Sequence, residues 1–149
     1  EAAAEAGPVT GAEAPSFAAI TLDGDSVALG DLRGSPVLLN VWATWCAPCR
    51  QEIPELQALH ERHGPQGLRV IGVTVDSRSA GADIRAFLDE LAITYDVWWD
   101  PDQTVVSRFQ AMGVPLTVLI GPDGRIRWRH LGVVPPGDPD LRRALEAVL

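Results

Sequence analysis

The sequence contains no lysine, and this absence limits the kinds of partner that the chain can bind. All 12 basic residues are arginines, against 20 aspartates and glutamates, so the net charge is -8. A protein that binds nucleic acid normally carries a basic surface that neutralises phosphates. The composition therefore predicts no nucleic-acid partner.

Long apolar runs and cysteines are scarce as well. No apolar stretch approaches the roughly 18 to 20 residues that a membrane-spanning helix needs, and no charged-then-apolar signal peptide opens the sequence. Two cysteines are too few for a small disulfide-stapled scaffold or for an all-thiolate zinc site. The 149 residues, 46% of them hydrophobic, are enough for one domain with its own core.

The first fourteen residues differ in composition from the rest of the chain. They hold six Ala, three Glu, two Gly and one Pro, and almost nothing large enough to pack in a core. We predict a flexible linker over residues 1–14 and a single domain over residues 15–149. Since the sequence opens without methionine, we expect a removed signal peptide or a membrane anchor upstream of the linker.

Strand and helix patterns alternate after the linker. Two short β patterns on either side of Asp23-Gly24 predict a hairpin, and the apolar run 36–43 predicts a strand buried on both faces. The other predicted elements are helices over 46–63, 83–91, 104–110 and 139–149, and strands over 68–75, 95–99, 115–120 and 125–131. This order predicts an α/β sandwich with a mixed sheet.

Both cysteines lie at the junction between the buried strand and the first long helix, in the sequence Trp45-Cys46-Ala47-Pro48-Cys49. Free backbone N–H groups and the helix dipole favour a thiolate at a helix N-terminus, which lowers a cysteine pKa from about 8.5. We therefore predict that Cys46 is the nucleophile of a redox pair. Cys49, one turn deeper on the same helical face, is predicted to be the resolving thiol.

Two other interpretations of the cysteines are a zinc site and a purely structural disulfide. His60 and His63 follow the cysteines with a spacing that resembles a zinc finger, except that the gap between the histidines is short. In a continuous helix His60 lies roughly 21 Å from Cys46, too far to share one ion. We favour the redox pair, predict no metal site, and expect both histidines to be solvated helix residues.

The cysteine motif and two longer segments resemble a known family. WCAPC between an apolar strand and a helix resembles the thioredoxin superfamily. The segments LDGDSVALGDLRGSPVLLNVWATWCAPCRQEIPEL and GVPLTVLIGPDGRI resemble extracytoplasmic thiol-disulfide oxidoreductases of the TlpA and ResA type, and the resemblance covers about residues 15–149. It implies a thioredoxin-like three-layer sandwich with an N-terminal β-hairpin extension.

The resemblance also implies a substrate-binding surface. Pro115, after Val114, matches a cis-proline loop that lies against the cysteine pair and offers backbone groups to a substrate strand. Trp45, Ala47 and Pro48, which surround the cysteines in the sequence, complete the predicted substrate-binding residues.

Glu52 is the third candidate catalytic residue, after the two cysteines. It follows Cys49 by three residues and matches an acidic residue that the resemblance places beside the active cysteines. Either Glu52 relays protons or raises the cysteine pKa, or it is an ordinary first-turn acid that interacts with the helix dipole. Asn40 occupies the position at which cytosolic thioredoxins carry a buried aspartate.

Most of the tryptophan side chains are predicted to pack in the core rather than to lie on the surface. Trp42 and Trp45 are expected to pack around the end of the buried strand, with substrate contact as the alternative for Trp45. We expect Trp98 and Trp99 to be partly buried, with exposure of one to a partner as the alternative. The arginines that alternate within 125–129 are predicted to form a solvated strand face.

The predicted activity is thiol-disulfide exchange with other proteins, without a cofactor. The resemblance favours a monomeric reductant outside the cytoplasm, which is supplied by a membrane electron donor and prepares apocytochrome c cysteines or copper-site thiols. One alternative is a peroxiredoxin-like peroxidase, although Leu39 and Ala43 stand where its Pro-x-x-x-Thr/Ser-x-x-Cys motif needs Pro and Thr or Ser. The other is a non-catalytic binding or chaperone module.

Overall fold

Seven strands form one sheet in the computed structural model, which describes residues 10–149. The strands are β1 (Ala18–Thr21), β2 (Ser26–Ala28), β3 (Val37–Trp42), β4 (Arg69–Thr74), β5 (Asp96–Trp99), β6 (Leu116–Ile120) and β7 (Ile126–Leu131). Over the same residues, the α-helices are α1 (Ala47–His63), α2 (Gly81–Glu90), α3 (Thr104–Arg108) and α4 (Pro139–Val148). The predicted order of elements is confirmed. Within this range no helix is both long and apolar enough to cross a bilayer.

The sheet is mixed, with strand order β2-β1-β5-β4-β3-β6-β7. The three central strands β3, β4 and β5 are parallel, and α1 and α2 provide the crossovers that parallel strands require. The β1–β2 hairpin joins β5 antiparallel at one edge, which confirms the predicted N-terminal hairpin. β6 and β7 form the other edge.

The inner strand β3, between β4 and β6, is buried along its whole length, as its continuous apolar sequence predicts. On one face, Leu38 belongs to a buried cluster with Leu56 of α1 and Leu141 of α4. On the other face, Leu39 belongs to a second cluster with Phe109, which follows α3. Helices therefore cover both faces of the sheet and form the predicted three layers.

A stack of side chains joins α1 to α2 at the end of β3. The ring of Trp42 lies against the ring of Phe87 in α2, with 4.9 Å between centroids. The guanidinium of Arg50 in α1 lies over the same Phe87 ring and forms an ion pair with Glu90 at 2.8 Å. Both charged groups are partly exposed, so the pair contributes at most about 1 kcal/mol. The predicted burial of Trp42 at the strand end is confirmed.

Backbone hydrogen bonds join part of the predicted linker, residues 11–14, to the segment around the start of β7. The Gly11 amide donates to the Ile126 carbonyl at 2.6 Å, and the Ile126 amide donates to the Ala12 carbonyl at 2.8 Å. The Ala14 amide donates to Gly124 at 2.9 Å. These bonds use backbone groups at the start of the edge strand β7 and in the turn before it. Such edge groups can pair with a neighbouring segment whatever its side chains. Residues 1–9 of the predicted linker lie outside the described residues.

Gly72 in β4 has no space for a side chain. A Cβ atom at this position would lie 2.8 Å from Nε1 of Trp42 and 3.0 Å from Cε1 of Tyr95. Both rings are buried, and Trp42 is held by its stack on Phe87. The close approach of the two rings to β4 therefore requires glycine here.

Gly72→Ala is expected to lower the free energy of unfolding by about 1–3 kcal/mol, because the added methyl group overpacks the space between two fixed rings. Urea denaturation of the oxidised protein measures the loss. Gly30→Ala is the matched control, since a Cβ atom at Gly30 meets no described atom within 4 Å. Equal losses in the two variants would show that the rings can move aside.

Candidate active site

Cys46 and Cys49 form a disulfide at the N-terminus of α1. Cys46 is the residue that caps the helix, and Pro48 stands in the first turn, where the missing N–H group of proline costs no hydrogen bond. Cys46 is 5% exposed and Cys49 is 0% exposed. Cys46 is therefore the more accessible cysteine of the pair, and its assignment as the nucleophile stays a prediction.

A backbone N–H group of α1 contacts the Cys46 sulfur. The amide of Cys49 donates to Sγ of Cys46 at 3.2 Å. The next basic residue, Arg50, points its guanidinium at Phe87 and Glu90 of α2, so its charge is engaged away from the disulfide. Stabilisation of a Cys46 thiolate therefore falls to the helix N-terminus.

Asp76 fixes the loop that leads to Cys46, a role that the sequence reasoning missed. Its buried carboxylate accepts hydrogen bonds from the Thr44 amide at 3.0 Å and from the Thr44 hydroxyl at 2.7 Å. The Thr74 hydroxyl donates to the same carboxylate. These bonds tie the end of β3 to the end of β4. The signal in the sequence is a lone acidic residue directly after an apolar strand.

The Val114–Pro115 peptide bond is cis, as the resemblance predicts. The pairing of Val41 with Leu116 places Pro115 opposite the end of β3, where the cysteine loop begins. The Pro115 carbonyl accepts a hydrogen bond from the Gly132 amide at 2.8 Å. No hydrogen bond joins the backbone of Val114 to another residue within 10–149.

The residues beside the cysteines lie on the surface. Trp45, Ala47 and Pro48 are exposed around the nearly buried Cys46. The expectation that Trp45 packs at the strand end is wrong. The Cys46 amide donates to the Ala43 carbonyl at 3.2 Å, and this turn directs Trp45 outward.

Glu52 is buried on the turn of α1 that follows Cys49. Its Oε1 accepts a hydrogen bond from Nδ2 of Asn40 at 2.6 Å, and its Oε2 accepts one from the Val134 amide at 2.8 Å. Nδ2 of Asn40 also donates to Oγ1 of Thr117 at 3.0 Å. The alternative of an ordinary first-turn acid is therefore wrong, because such an acid is solvated.

Burial raises the pKa of the Glu52 carboxyl above its ordinary value. The Val134 amide, the Asn40 amide group and His130 oppose the shift without cancelling it. Burial, together with the negative charge of Glu52, also raises the pKa of the Tyr95 phenol. The Tyr95 hydroxyl and Oδ1 of Asn40 are buried and have no hydrogen-bond partner among the described residues. Glu52 thus retains a proton to a higher pH than a surface glutamate does.

The two histidines of the zinc interpretation do not approach the disulfide. α1 is continuous over Ala47–His63 and holds both histidines near its other end. The ring of His60 packs edge-on against Tyr95 with centroids 6.1 Å apart, and Nδ1 of His63 lies 2.6 Å from Oε1 of Gln66. Both histidines are half-buried rather than fully solvated. Residues 10–149 contain no group of three or more His, Cys, Asp or Glu arranged to hold a metal ion.

The paired tryptophans of β5 are held by the core, as expected. Trp98 is buried, and Trp99 is half-buried with its Nε1 donating to the Asp76 carbonyl at 2.9 Å.

The side chain of Arg129 is not fully solvated, in contrast to the prediction for the arginines of this strand face. Its side chain is half-buried and donates to the carbonyls of Phe109 at 2.9 Å and Gln110 at 3.2 Å. These carbonyls follow α3 and begin the loop that leads to the cis-proline. Arg129 therefore helps to hold that loop against β7.

Comparison with known proteins matches residues 10–129 to the AhpC/TSA family. The chain is 34% identical to the thioredoxin-like protein YneN of Bacillus subtilis (strain 168) over 131 residues, which are 87% of this chain and 76% of that protein. It is 30% identical to the thiol-disulfide oxidoreductase ResA of Bacillus thuringiensis (strain Al Hakam) over 122 residues, 82% of this chain and 69% of ResA.

Among solved structures, a Chlorobium tepidum protein assigned as the thiol:disulfide interchange protein DsbE is 30% identical to this chain. The two superpose with a TM-score of 0.85 over 95% of this chain and 98% of the other. The likeness confirms the predicted thioredoxin-like fold.

Glu52→Gln is expected to change the pH dependence of stability. The pKa of Glu52 is higher in the folded protein than its ordinary value of 4.5, so the folded state binds more protons between the two values. The free energy of unfolding of the wild type therefore falls as the pH rises through this interval, and a glutamine, which does not titrate, removes the fall.

Urea denaturation of the oxidised protein between about pH 4 and pH 8 measures this effect. The stability of Glu52→Gln relative to wild type should increase as the pH rises above about 4.5. Glu146→Gln replaces an exposed glutamate of α4 and serves as the control. Wild-type and Glu52→Gln curves that stay parallel would contradict the raised pKa.

Proposed function

Because the chain belongs to the AhpC/TSA family and is a thiol-disulfide oxidoreductase of the ResA and DsbE type, we propose that it acts as a reductant of partner proteins outside the cytoplasm. The observation that carries the proposal is the Cys46–Cys49 disulfide at a helix N-terminus, next to the cis-proline loop. The partners are proteins with disulfides, and the protein acts as a monomer.

The reaction begins from the reduced protein. The Cys46 thiolate attacks one sulfur of the partner disulfide, so a bond forms between Cys46 and the partner while the partner disulfide breaks. The thiolate of Cys49 then attacks Sγ of Cys46. The partner sulfur that was bonded to Cys46 leaves as a thiolate, and each of the two partner thiolates takes a proton. Two electrons pass to the partner, and the Cys46–Cys49 disulfide forms. The greater exposure of Cys46 supports this order.

The partner segment binds beside the cysteines in an extended conformation. The backbone of Val114 makes no hydrogen bond within the described part of the chain, and it lies next to the cis-proline. An extended peptide can pair with such a free backbone as an additional strand. Trp45, Ala47 and Pro48 form the exposed surroundings of Cys46 and contact the same segment.

Glu52 serves as the proton acceptor for Cys49. Cys49 must lose its proton before it can attack, and it is fully buried, so solvent cannot take the proton directly. Glu52 follows on the next turn of α1, and its raised pKa makes it a better base than a surface carboxylate. Its bonds to Asn40 and Val134 keep the carboxylate in place.

The resemblance to the TlpA and ResA type supports a role in an oxidising compartment, the periplasm or the outer face of the cytoplasmic membrane. Apocytochrome c cysteines, which must be reduced before haem is attached, and the thiols of copper sites are the proposed substrates. Such a reductant must itself be reduced, so a membrane thiol-disulfide electron donor is its second partner.

Replacement of each cysteine is expected to separate their roles. Cys46→Ser should abolish insulin reduction, because the attacking sulfur is lost. Cys49→Ser should trap the mixed disulfide with a partner, because the sulfur that resolves it is lost. Mass spectrometry of the trapped complex measures this. A Cys49→Ser protein that turns over as fast as wild type would overturn the assignment, and rapid peroxide consumption by the wild type would favour the peroxidase alternative.

The reduction potential of the Cys46–Cys49 pair should lie near the reducing end of the range for this fold. That range runs from about -270 mV for reductants to about -120 mV for oxidants. Equilibration with dithiothreitol buffers, followed by thiol alkylation, measures the value. A potential near the oxidising end would mean that the protein introduces disulfides, and the exchange activity would then stand while the proposed direction fails.

A further inference from the structure

His130 of β7 belongs to the row of polar side chains that surrounds Glu52. It pairs with Thr117 of β6, and Thr117 pairs with Asn40 of β3. Side chains of directly paired residues lie on the same face of a sheet. Nδ2 of Asn40 donates to both Thr117 and Glu52, so this is the face that α1 covers. The other three residues are buried and His130 is half-buried, so His130 is the member of the row that meets solvent.

One peptide group connects His130 to Glu52. Nε2 of His130 lies 3.0 Å from the carbonyl oxygen of Val133, and the amide of Val134 donates to Oε2 of Glu52 at 2.8 Å. This carbonyl and this amide belong to the same planar unit, so a shift at one end moves the other. A hydrogen bond at the carbonyl also polarises the N–H group and strengthens the bond that it donates.

The contact with the carbonyl determines which nitrogen of His130 titrates. A carbonyl oxygen can only accept a hydrogen bond, so Nε2 carries a proton and donates it to Val133. The ring therefore becomes charged when Nδ1 takes up a second proton. The ring of Trp128 is stacked on the ring of His130 with 5.7 Å between centroids, and the face of an indole attracts a cation. His130 can thus gain its charge without losing its bond to Val133.

The other titratable groups on the elements around this row are engaged elsewhere, exposed or uncharged. Strands β3 and β6 carry no charged side chain. Glu55 of α1 and Asp138 before α4 each accept a backbone hydrogen bond. Tyr95 is uncharged, because burial and the charge of Glu52 raise the pKa of its phenol. His130 is the basic group whose charge lowers the pKa of the Glu52 carboxyl. The charged side chains of α4 are exposed: Asp140, Arg142, Arg143 and Glu146.

We propose that His130 is a positioning residue for the exchange reaction, which holds the Val133–Val134 peptide group against Glu52 and, when charged, keeps Glu52 ionised so that it can accept the proton of Cys49. This inference rests on the proposed function and adds a residue to it. Burial favours the protonated form of Glu52, which cannot accept a proton. The positive ring opposes this effect at acidic pH, where the ring itself is protonated.

Two substitutions separate the charge of His130 from its hydrogen bond. In His130→Gln, the side-chain amide places an N–H group near the position of Nε2 and can donate to Val133, but it carries no charge. His130→Ala removes both the charge and the bond. His63→Gln is the matched control, because it removes a half-buried histidine near the other end of α1.

The reaction of the reduced protein with dithiobis(nitrobenzoic acid) resolves the two thiol steps. Attack by Cys46 releases one thionitrobenzoate and leaves the other bonded to Cys46, and attack by Cys49 then releases the second and forms the disulfide. Stopped-flow absorbance measures both releases. At about pH 5.5, His130→Gln should slow the second release about threefold, since a rise of roughly half a unit in the pKa of Glu52 corresponds to that factor.

At about pH 8.5 the wild-type ring is neutral, so His130→Gln should release the second thionitrobenzoate as fast as the wild type. His130→Ala should be slower than both at either pH, because the peptide group that binds Glu52 is no longer held. His63→Gln should follow the wild type throughout. Equal second-release rates of wild type and His130→Gln at about pH 5.5, or of His130→Ala and His130→Gln at about pH 8.5, would overturn the proposal.

An NMR titration separates this proposal from the proposed function. Isotope labelling of the glutamate carboxyl carbons gives the pKa of Glu52 in the oxidised protein, without any exchange reaction, and the signal that disappears in Glu52→Gln identifies the residue. His130→Gln should raise this pKa and His63→Gln should leave it unchanged. An unchanged pKa in His130→Gln overturns the proposal even if exchange is normal. A wild type that releases no thionitrobenzoate contradicts the proposed function, and the titration alone then decides on His130.

Discussion

The burial of β3 on both faces is the constraint on which the site depends. Because β3 is held between β4 and β6 in the sheet, its end point fixes where α1 begins, and therefore where Cys46 lies. Pairing with β4 brings Asp76 to the cysteine loop, and pairing with β6 brings Pro115 opposite the end of β3. β3 thus places three groups together at its carboxyl end: the disulfide, Asp76, which holds the cysteine loop, and the cis-proline.

The same apolar strand contains the polar residue Asn40, whose side chain donates a hydrogen bond to the buried Glu52. An amide in the middle of a buried strand is unfavourable unless it is hydrogen-bonded, and Asn40 meets this condition through Glu52 and Thr117. Glu52 in turn is bound by the Val134 amide, which comes from the segment between β7 and α4. A carboxylate is thereby held in a nearly dry position with donors on both oxygens, while burial still raises its pKa. This combination supports the proposed role of Glu52 as a proton acceptor.

Periodicity and turn residues predicted the strands, the helices and the cysteine junction because these features depend on neighbours in sequence. What sequence could not predict depends on contacts between distant segments. The burial of Glu52 needs the amide of Val134, 82 residues away. The role of Asp76 needs Thr44 across two parallel strands. The pairing of 11–14 with β7 uses backbone groups that composition does not reveal. Trp45 was expected inside because its size favours burial, and a tight turn overrides that preference.

The absence of lysine has a structural consequence at the N-terminus of α1, where the disulfide lies. The one basic side chain next to the disulfide, Arg50, is engaged with α2, so the stabilisation of a Cys46 thiolate comes from backbone N–H groups such as that of Cys49. Backbone donors move only if the helix moves. The reactivity of Cys46 therefore depends on the position of α1, and contacts on two sides of α1 hold it in place. Arg50 joins it to α2, and Glu52 joins it to β3 and to the Val134 segment. The contacts that hold α1 in place therefore also fix the position of the Cys49 N–H group that donates to Cys46.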